Sequence, residues 1–118
     1  MAAGIADTFG NLAFVQKNAD EAYGYLSDGF RKAYSLEAFK GQINKLHQDS
    51  FPSDISSTEY EPVPGQEQMN IFLEGHNGSQ TFYYRFLMLG NSDSGYKVGG
   101  FWRNNNPYPP SELRLPLH

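Results

Sequence analysis

The sequence feature that most constrains the fold is a change of hydrophobic period at Pro52. Before this residue, apolar side chains recur every three or four positions, which is the period of an amphipathic helix. After it, apolar and polar residues alternate in short segments separated by turn-forming residues, which is typical of antiparallel strands. Such strands bury one face of their sheet against the helices. The sequence therefore predicts an α+β fold in which the helices come first and the strands second.

The first half of the chain predicts three helices. The first helix covers residues 3–17. The second begins after Asn18, a candidate N-cap that is followed three positions later by Glu21, and its apolar stripe continues to Phe30. Ser35 is a candidate N-cap for the third helix. The apolar stripe of the third helix is formed by Leu36, Phe39, Ile43 and Leu46.

The second half predicts a meander of four antiparallel strands, at residues 55–61, 67–75, 80–89 and 95–103. Asn77-Gly78, between the second and third strands, favours a two-residue hairpin turn that pairs His76 with Ser79. Gly99-Gly100 in the last strand indicates a bulge or a close backbone approach, which helps a sheet to curve. The hairpin register, continued along the strands, assigns each side chain to one of two faces.

The length, composition and charge of the chain limit its organisation and its partners. The 118 residues fit one domain, predicted over residues 1–104, and residues 105–118 form a Pro-rich tail that is expected to wrap the surface in extended form. A net charge of −4 without basic runs argues against nucleic-acid binding. The absence of cysteine excludes disulfides and thiolate metal sites.

The sequence gives no sign of membrane insertion. No stretch is long and apolar enough to predict a membrane span. The opening residues also lack the charged and apolar regions of a signal peptide. Two locations stay open: the cytoplasm for the sequence as written, or the cell envelope or exterior if a signal sequence has been removed.

The predicted register gives the sheet an apolar inner face. Lys97 and Arg103 are placed outward, which turns Trp102 inward on the same strand. Aromatic residues make up 15% of the chain, so a few large side chains can either fill a core or line a cavity. A filled core is the favoured interpretation, and a pocket for a small apolar ligand is the alternative. The pocket candidates are Tyr23, Tyr84, Tyr96, Trp102, Met69 and Phe86.

The outer face of the predicted sheet is only half polar, so it carries an exposed apolar strip. Soluble monomers rarely leave such a strip open to solvent, and a two-fold dimer is the commonest way to cover one. The sequence therefore predicts a homodimer through this face. The candidate dimer-face residues are Phe72, Tyr83, Arg85, Leu87, Leu89 and Phe101.

Two stretches resemble a known superfamily. The segment AYGYLSDGFRKAYSLEAFKGQI, residues 22–43, and the ending GYKVGGFWR, residues 95–103, are similar to small bacterial members of the nuclear transport factor 2-like superfamily, also called the cystatin-like cone. The resemblance implies three helices packed on a curved four-stranded antiparallel sheet, in the form of a cone. Members include isomerases, dehydratases, cyclases, scaffold domains and domains without known activity, so the resemblance implies a fold rather than a chemistry.

Enzymes of this superfamily use an Asp or a His inside the cone, with Tyr or Asp partners, to move protons next to a carbonyl or hydroxyl group. The predicted inner face holds no Asp, Glu or His, and an ordinary Tyr does not titrate near neutral pH. The candidate acid–base groups are therefore His47, Asp49 and Asp28, which are predicted near helix ends. A His in a last helical turn more often complements the final carbonyl groups, which is the favoured interpretation of His47.

These observations give one leading interpretation and one alternative. The leading interpretation is a non-catalytic cone domain that dimerises through its outer sheet face and can hold a small apolar ligand. The alternative is a small proton-transfer enzyme of the isomerase or dehydratase type, with its site at the mouth of the cone. No cofactor is predicted, and no metal site either, because His76 and Glu74 have no third ligand nearby.

Overall fold

A computed structural model describes residues 2–91 and 93–117 of the chain, and within them it has the predicted α+β character. Four α-helices precede a five-stranded antiparallel sheet with the strand order β4-β3-β2-β1-β5. The helices are α1 (Ala2–Gly10), α2 (Ala19–Tyr23), α3 (Asp28–Ala33) and α4 (Leu36–Leu46), and a π-helical turn (Asn11–Val15) follows α1. The strands are β1 (Asp54–Pro62), β2 (Gln68–Asn77), β3 (Gln80–Asn91), β4 (Gly95–Asn104) and β5 (Leu115–Pro116). None of the helices in the described ranges is long and apolar enough to cross a membrane.

Two predicted helix starts are confirmed at the level of individual hydrogen bonds. The Asn18 side chain accepts a hydrogen bond from the backbone N–H of Glu21 (3.3 Å) and caps α2. The Ser35 hydroxyl accepts one from the backbone N–H of Ala38 (3.2 Å) and caps α4. Caps of this kind are readable in a sequence because donor and acceptor lie only three residues apart.

The predicted single helix from Asn18 to Phe30 is wrong, because the chain breaks there into α2 and α3. Between them the backbone pairs with the free edge of β4: Val98 N–H donates to the Tyr25 carbonyl and Ser27 N–H donates to the Val98 carbonyl, both at 2.8 Å. The Ser27 hydroxyl then caps α3. Pairing with a strand more than seventy residues away in sequence therefore overrides a continuous apolar stripe.

The hairpin between β2 and β3 keeps the predicted faces but not the predicted pairs. Asn77 pairs with Gln80, so the two turn residues are Gly78 and Ser79. Gly78 has φ +61°, a conformation that glycine adopts readily. Relative to the predicted register the partners shift by two residues, which leaves every side chain on its predicted face. The inner side chains of the hairpin that are fully buried are Ile71, Leu73, Phe82, Tyr84, Phe86 and Met88.

A β-bulge in β4 changes which side chains face the helices. Leu87 pairs with Gly100 and Met88 pairs with Val98, so Gly99 is an extra residue in β4. Because side chains alternate with a period of two along a strand, one extra residue reverses the facing of all that follow it. The predicted bulge at Gly99-Gly100 is therefore present, and it reverses the facing of the residues after it.

Phe101 and Trp102 occupy the opposite faces from those predicted. Phe101 lies in the core with only 8% of its surface exposed, whereas Trp102 is 43% exposed. The outward placement of Phe101 and the inward placement of Trp102 are therefore both wrong. Arg103 is also turned inward, and its guanidinium lies 4.4 Å from the centre of the Phe82 ring.

The core between the helices and the inner sheet face is a cluster of aromatic rings. Phe9 of α1 contacts Phe39 of α4, Phe86 of β3 and Phe101 of β4, with ring centres 5.5–6.0 Å apart. Phe14 of the π-helical turn stacks on Tyr84 at 5.1 Å. Edge-to-face and stacked contacts of this kind stabilise a fold beyond the area they bury. The helical half is therefore fixed to the sheet mainly by phenylalanine.

The Pro-rich tail lies against the outer face of the sheet. Its two-residue strand β5 pairs with Glu59 and Tyr60 of β1, which raises the strand count from the predicted four to five. Upstream in the tail, the Tyr108 ring contacts the Phe72 ring at 5.5 Å, and the Arg114 guanidinium lies 4.5 Å from the centre of the same ring. The tail thus covers the β1–β2 part of the outer face.

Candidate functional site

His47 lies at the C-terminal end of α4 and is almost completely buried, with 3% of its surface exposed. Its Nδ1 is 2.8 Å from the Ile43 carbonyl, which can only accept, so Nδ1 carries the proton. In the neutral ring Nε2 is then an acceptor, and the Tyr84 hydroxyl donates to it at 2.8 Å. Phe14 and Phe51 pack on the imidazole with ring centres 4.7 Å away.

This environment keeps both partners of the His47–Tyr84 pair uncharged. Burial lowers the pKa of His47, and the positive charge of Arg103 acts in the same direction. Burial likewise raises the pKa of Tyr84. Both ring nitrogens of His47 are already engaged, so neither faces a space where a substrate could accept or donate a proton. The two side chains therefore satisfy each other's buried hydrogen-bonding groups and do not form an accessible acid–base centre.

Asp49 is held by Arg103 at the edge of the same region. Two guanidinium nitrogens donate to the two carboxylate oxygens at 2.7 and 2.8 Å, and one also donates to the Leu46 carbonyl at 2.7 Å. These hydrogen bonds hold the pKa of Asp49 well below its usual range. Asp49 therefore stays ionised at neutral pH and cannot serve as a proton donor there. It compensates the charge of an Arg side chain that is only 6% exposed.

Asp28 is on the surface of α3, with 87% of its side chain exposed, and it forms an ion pair with Arg31 at 2.6 Å. The three acid–base candidates from the sequence thus lie in three different environments: His47 inside the core, Asp49 in an ion pair and Asp28 in solvent. The structure brings His47 together with Tyr84, which the sequence did not associate. No signal in the sequence links these two residues, because their contact depends on how α4 packs on the sheet.

The pocket candidates pack into the core or lie outside it. Tyr84 and Phe86 are fully buried among other rings. Tyr23 is fixed by its hydroxyl, which donates to the Tyr34 carbonyl at 2.7 Å. Two further candidates, Met69 and Tyr96, are partly buried and pack against the core, and Trp102 is on the outer face. These contacts support the interpretation in which the aromatic residues fill the core.

The dimer-face candidates fall into three groups. Phe72 is buried beneath the tail, and Tyr83 borders a small cavity of about 170 Å³ between the tail and the sheet. Phe101 is in the core. Three candidates remain outward and partly exposed, and Trp102 joins them. We call Arg85, Leu87, Leu89 and Trp102 the β3–β4 strip.

A groove of about 470 Å³ lies on the opposite, helical side, between the π-helical turn, α2 and α4. We call it the helical groove. Sequence reasoning missed it, because its shape depends on the π-helical turn and on Lys17, whose φ of +57° reverses the chain after that turn. The groove is lined by Ala13, Lys17, Asn18, Ala19, Asp20, Lys40, Ile43, Asn44 and Phe51.

One histidine and two carboxylate side chains also meet where β1 begins and β2 ends. His76 Nδ1 is 2.9 Å from Asp54 and its Nε2 is 3.9 Å from Glu74. Even so, within residues 2–91 and 93–117 no cluster of three or more histidine or carboxylate side chains is arranged to hold a metal ion. We therefore assign no metal site to these described residues.

Comparison of the chain with protein-family models, curated proteins and solved structures finds no match. The candidate functions therefore rest on the contacts described above. Two surfaces stand out among them: the β3–β4 strip on the sheet and the helical groove on the opposite side.

The buried state of His47 predicts a pH-dependent stability. We expect the free energy of unfolding to fall as the pH drops from 7 to 5, because the unfolded chain protonates this His near its ordinary pKa while the folded ring, with its lowered pKa, does not. The loss attributable to one such group is at most about 2 kcal/mol over this range. Urea titrations at several pH values measure it.

The variant His47→Gln is expected to be less stable at pH 7 but to lose this part of the pH dependence. The control is His76→Gln, which removes an exposed His and leaves the contribution of His47 in place. Below pH 5 the free energy of unfolding falls further as Asp49 loses its ion pair with Arg103, because a carboxylate with a lowered pKa stabilises the fold only while it is ionised. An unchanged slope in His47→Gln would contradict the buried neutral state.

Proposed function

We propose that this protein is a small non-catalytic binding domain of the nuclear transport factor 2-like type that forms a homodimer through the β3–β4 strip. Helices followed by an antiparallel sheet, with the helices packed on one sheet face, support the fold assignment. The observation that carries the dimer is the exposure of Trp102, which leaves 43% of its surface in solvent on the uncovered part of the outer face.

The tail and the strip divide the outer sheet face between them. On the β1–β2 side the tail covers Phe72 with Tyr108 and Arg114. On the β3–β4 side no segment within residues 2–91 and 93–117 covers Trp102 to a similar degree. An apolar sheet face that its own chain covers over only one half favours a partner for the other half.

A second copy of the chain fits this strip. A two-fold contact places the same strip on both sides, so each copy supplies leucines and an Arg–Trp pair to the other. The Arg85 guanidinium already lies 4.3 Å from the centre of the Trp102 ring, and this cation–π contact holds the two side chains together before association. Trp and Arg are also the residues that most often dominate binding energy at interfaces.

The alternative of a small proton-transfer enzyme has less support. It requires a titratable group that faces an open cleft, as general acid–base catalysis does. His47 is buried with both nitrogens engaged, and Asp49 is bound by Arg103. The proposal of a ligand inside the cone is weakened in the same way, because Tyr84 and Phe86 are packed among other rings.

The dimer is tested by sedimentation equilibrium together with the fluorescence of Trp102, which is the single Trp of the chain. We expect a dimer mass at high concentration, and an emission maximum that moves to shorter wavelength as the protein associates. Leu87→Asp is expected to raise the dimer dissociation constant at least about tenfold, because it places an unpaired charge in the contact.

Leu113→Asp is the matched control, since it makes the same chemical change at a tail residue that is 50% exposed. It should leave the dissociation constant unchanged. A monomer mass at about 1 mM protein, with emission independent of concentration, would sink the proposal, because any self-association would then be weaker than about 4 kcal/mol.

A further inference from the structure

The helical groove combines an apolar floor with a polar rim. Its volume of about 470 Å³ is within the range of small-molecule sites in proteins. The floor is formed by Ala13, Ala19, Ile43 and Phe51, and the rim by Lys17, Asn18, Asp20, Lys40 and Asn44. Such a combination suits a ligand with a flat apolar body and a polar group at one end. The groove is remote from the outer sheet face, so its function is independent of the proposed dimer.

Lys17 occupies a backbone conformation that is unusual for a residue with a side chain. Its φ of +57° is the only positive value recorded for a non-glycine residue in the described part of the chain. Glycine is the usual residue in this conformation at a helix end, because a Cβ atom is disfavoured there. Lys17 follows Gln16, the C-cap of the π-helical turn, and such turns occur frequently at functional sites. A long cationic side chain at this position indicates that the side chain itself has a role.

The charge of Lys17 has no carboxylate partner among residues 2–91 and 93–117. The rim carboxylate Asp20 is paired with Lys40, whose Nζ lies 3.3 Å from it and 3.7 Å from Glu37. Among the described residues no carboxylate lies within 4 Å of Lys17 Nζ, which instead sits 4.5 Å from the centre of the Phe51 ring. In the part of the chain that the structure describes, the groove therefore holds one cation without a carboxylate partner, directly beside its aromatic floor.

We infer that the helical groove binds a small aromatic carboxylate. The ring of the ligand would lie on Ile43 and against the edge of the Phe51 ring, whose faces are taken by His47 and the Lys17 ammonium group. Its carboxylate would accept from Lys17 Nζ. The amide N–H groups of Asn18 and Asn44 lie on the same rim and offer further donors. A charge-assisted hydrogen bond at the edge of an apolar floor gives both affinity and orientation.

The test uses the full chain and two probes of matched shape, the anion 1-naphthoate and the neutral 1-naphthalenemethanol. Titration calorimetry measures both affinities, and the backbone NMR shifts of residues 17–20 and 43–44 locate the site. We expect 1-naphthoate to bind about tenfold more tightly than the alcohol, and the tighter binding to weaken at high salt. Shifts confined to the outer sheet face, or equal affinity for both probes, would overturn the inference.

Lys17→Gly separates binding from folding, because glycine relieves the unusual backbone conformation. We expect this variant to melt at the same temperature as the parent or a few degrees higher, and yet to bind 1-naphthoate about tenfold more weakly. Lys17→Arg should retain the preference for the anion. Lys32→Ala makes the same change of charge on the exposed surface of α3 and should leave the affinity unchanged. Full affinity in Lys17→Gly would overturn the inference.

Discussion

Phe101→Ala is expected to lower the free energy of unfolding by about 3–5 kcal/mol, which is typical of removing a buried aromatic ring. Phe101 is 8% exposed, and its ring lies 5.8–6.0 Å from the rings of Phe9, Phe14 and Phe39. Truncation leaves a cavity among rings that are fixed from several elements and cannot easily collapse into it. Urea or guanidinium denaturation measures the change.

Trp102→Ala is the informative control, because it removes a larger ring from the next residue of the same strand. In the monomer, at protein concentrations below the dimer dissociation constant, we expect a loss of only about 1–2 kcal/mol, since the Trp102 ring lies on the surface over Gly100 and beside Arg85, where its removal leaves no internal cavity. A larger loss for Trp102→Ala than for Phe101→Ala would show that β4 lacks the bulge and that the predicted alternation was right.

The contrast between these two residues explains where sequence reasoning fails in the sheet. The faces of β2 and β3 were predicted correctly, because alternation continues unbroken on both sides of the hairpin and tolerates a register shift of two residues. In β4 the alternation is broken by Gly99. A glycine pair indicates that a bulge can form, but the pattern does not say how many residues it adds, and that number sets the facing of Phe101 and Trp102.

Contacts between distant parts of the chain account for the other differences. The caps at Asn18 and Ser35 were predictable because each involves a hydrogen bond over three residues. The break between α2 and α3 depends on pairing with β4, and the fifth strand depends on the docking of the tail on β1. Neither contact leaves a local signal in the sequence, because secondary-structure propensities and the spacing of apolar residues describe only neighbours along the chain.

The candidate sites divide in the same way. The sequence placed His47 near a helix end, where it does bind a helical carbonyl, that of Ile43. It did not place Tyr84 beside His47 or Arg103 beside Asp49, because both contacts join α4 or the loop after it to the sheet. The helical groove was also missed, because it depends on the left-handed backbone conformation of Lys17. A sequence usually signals that conformation with a glycine, and a lysine gives no such signal.

Gly90→Ala is expected to lower the free energy of unfolding by about 2–4 kcal/mol, from two effects that act together. Gly90 ends the regular part of β3 with φ +117°, a conformation that residues with a Cβ rarely adopt. A Cβ atom there would also clash with the carbonyl oxygen of Gly95 on β4. Because that oxygen belongs to the backbone, the hairpin must open to relieve the clash, which disturbs the pairing of Gly90 with Tyr96.

Two further glycines separate these effects. Gly78 has φ +61° but open space around its Cβ position, so Gly78→Ala tests the conformation alone, and we expect a loss of about 1 kcal/mol. Gly41 lies inside α4 with open space and an ordinary φ, so alanine there should raise the free energy of unfolding by about 0.5–1 kcal/mol. If Gly90→Ala loses no more stability than Gly78→Ala, the close approach of β3 and β4 at Gly95 is not rigid. The end of the hairpin would then have to open readily in the native protein, and the strand pairing that positions the β3–β4 strip would be fixed by the Phe101 end of β4 alone.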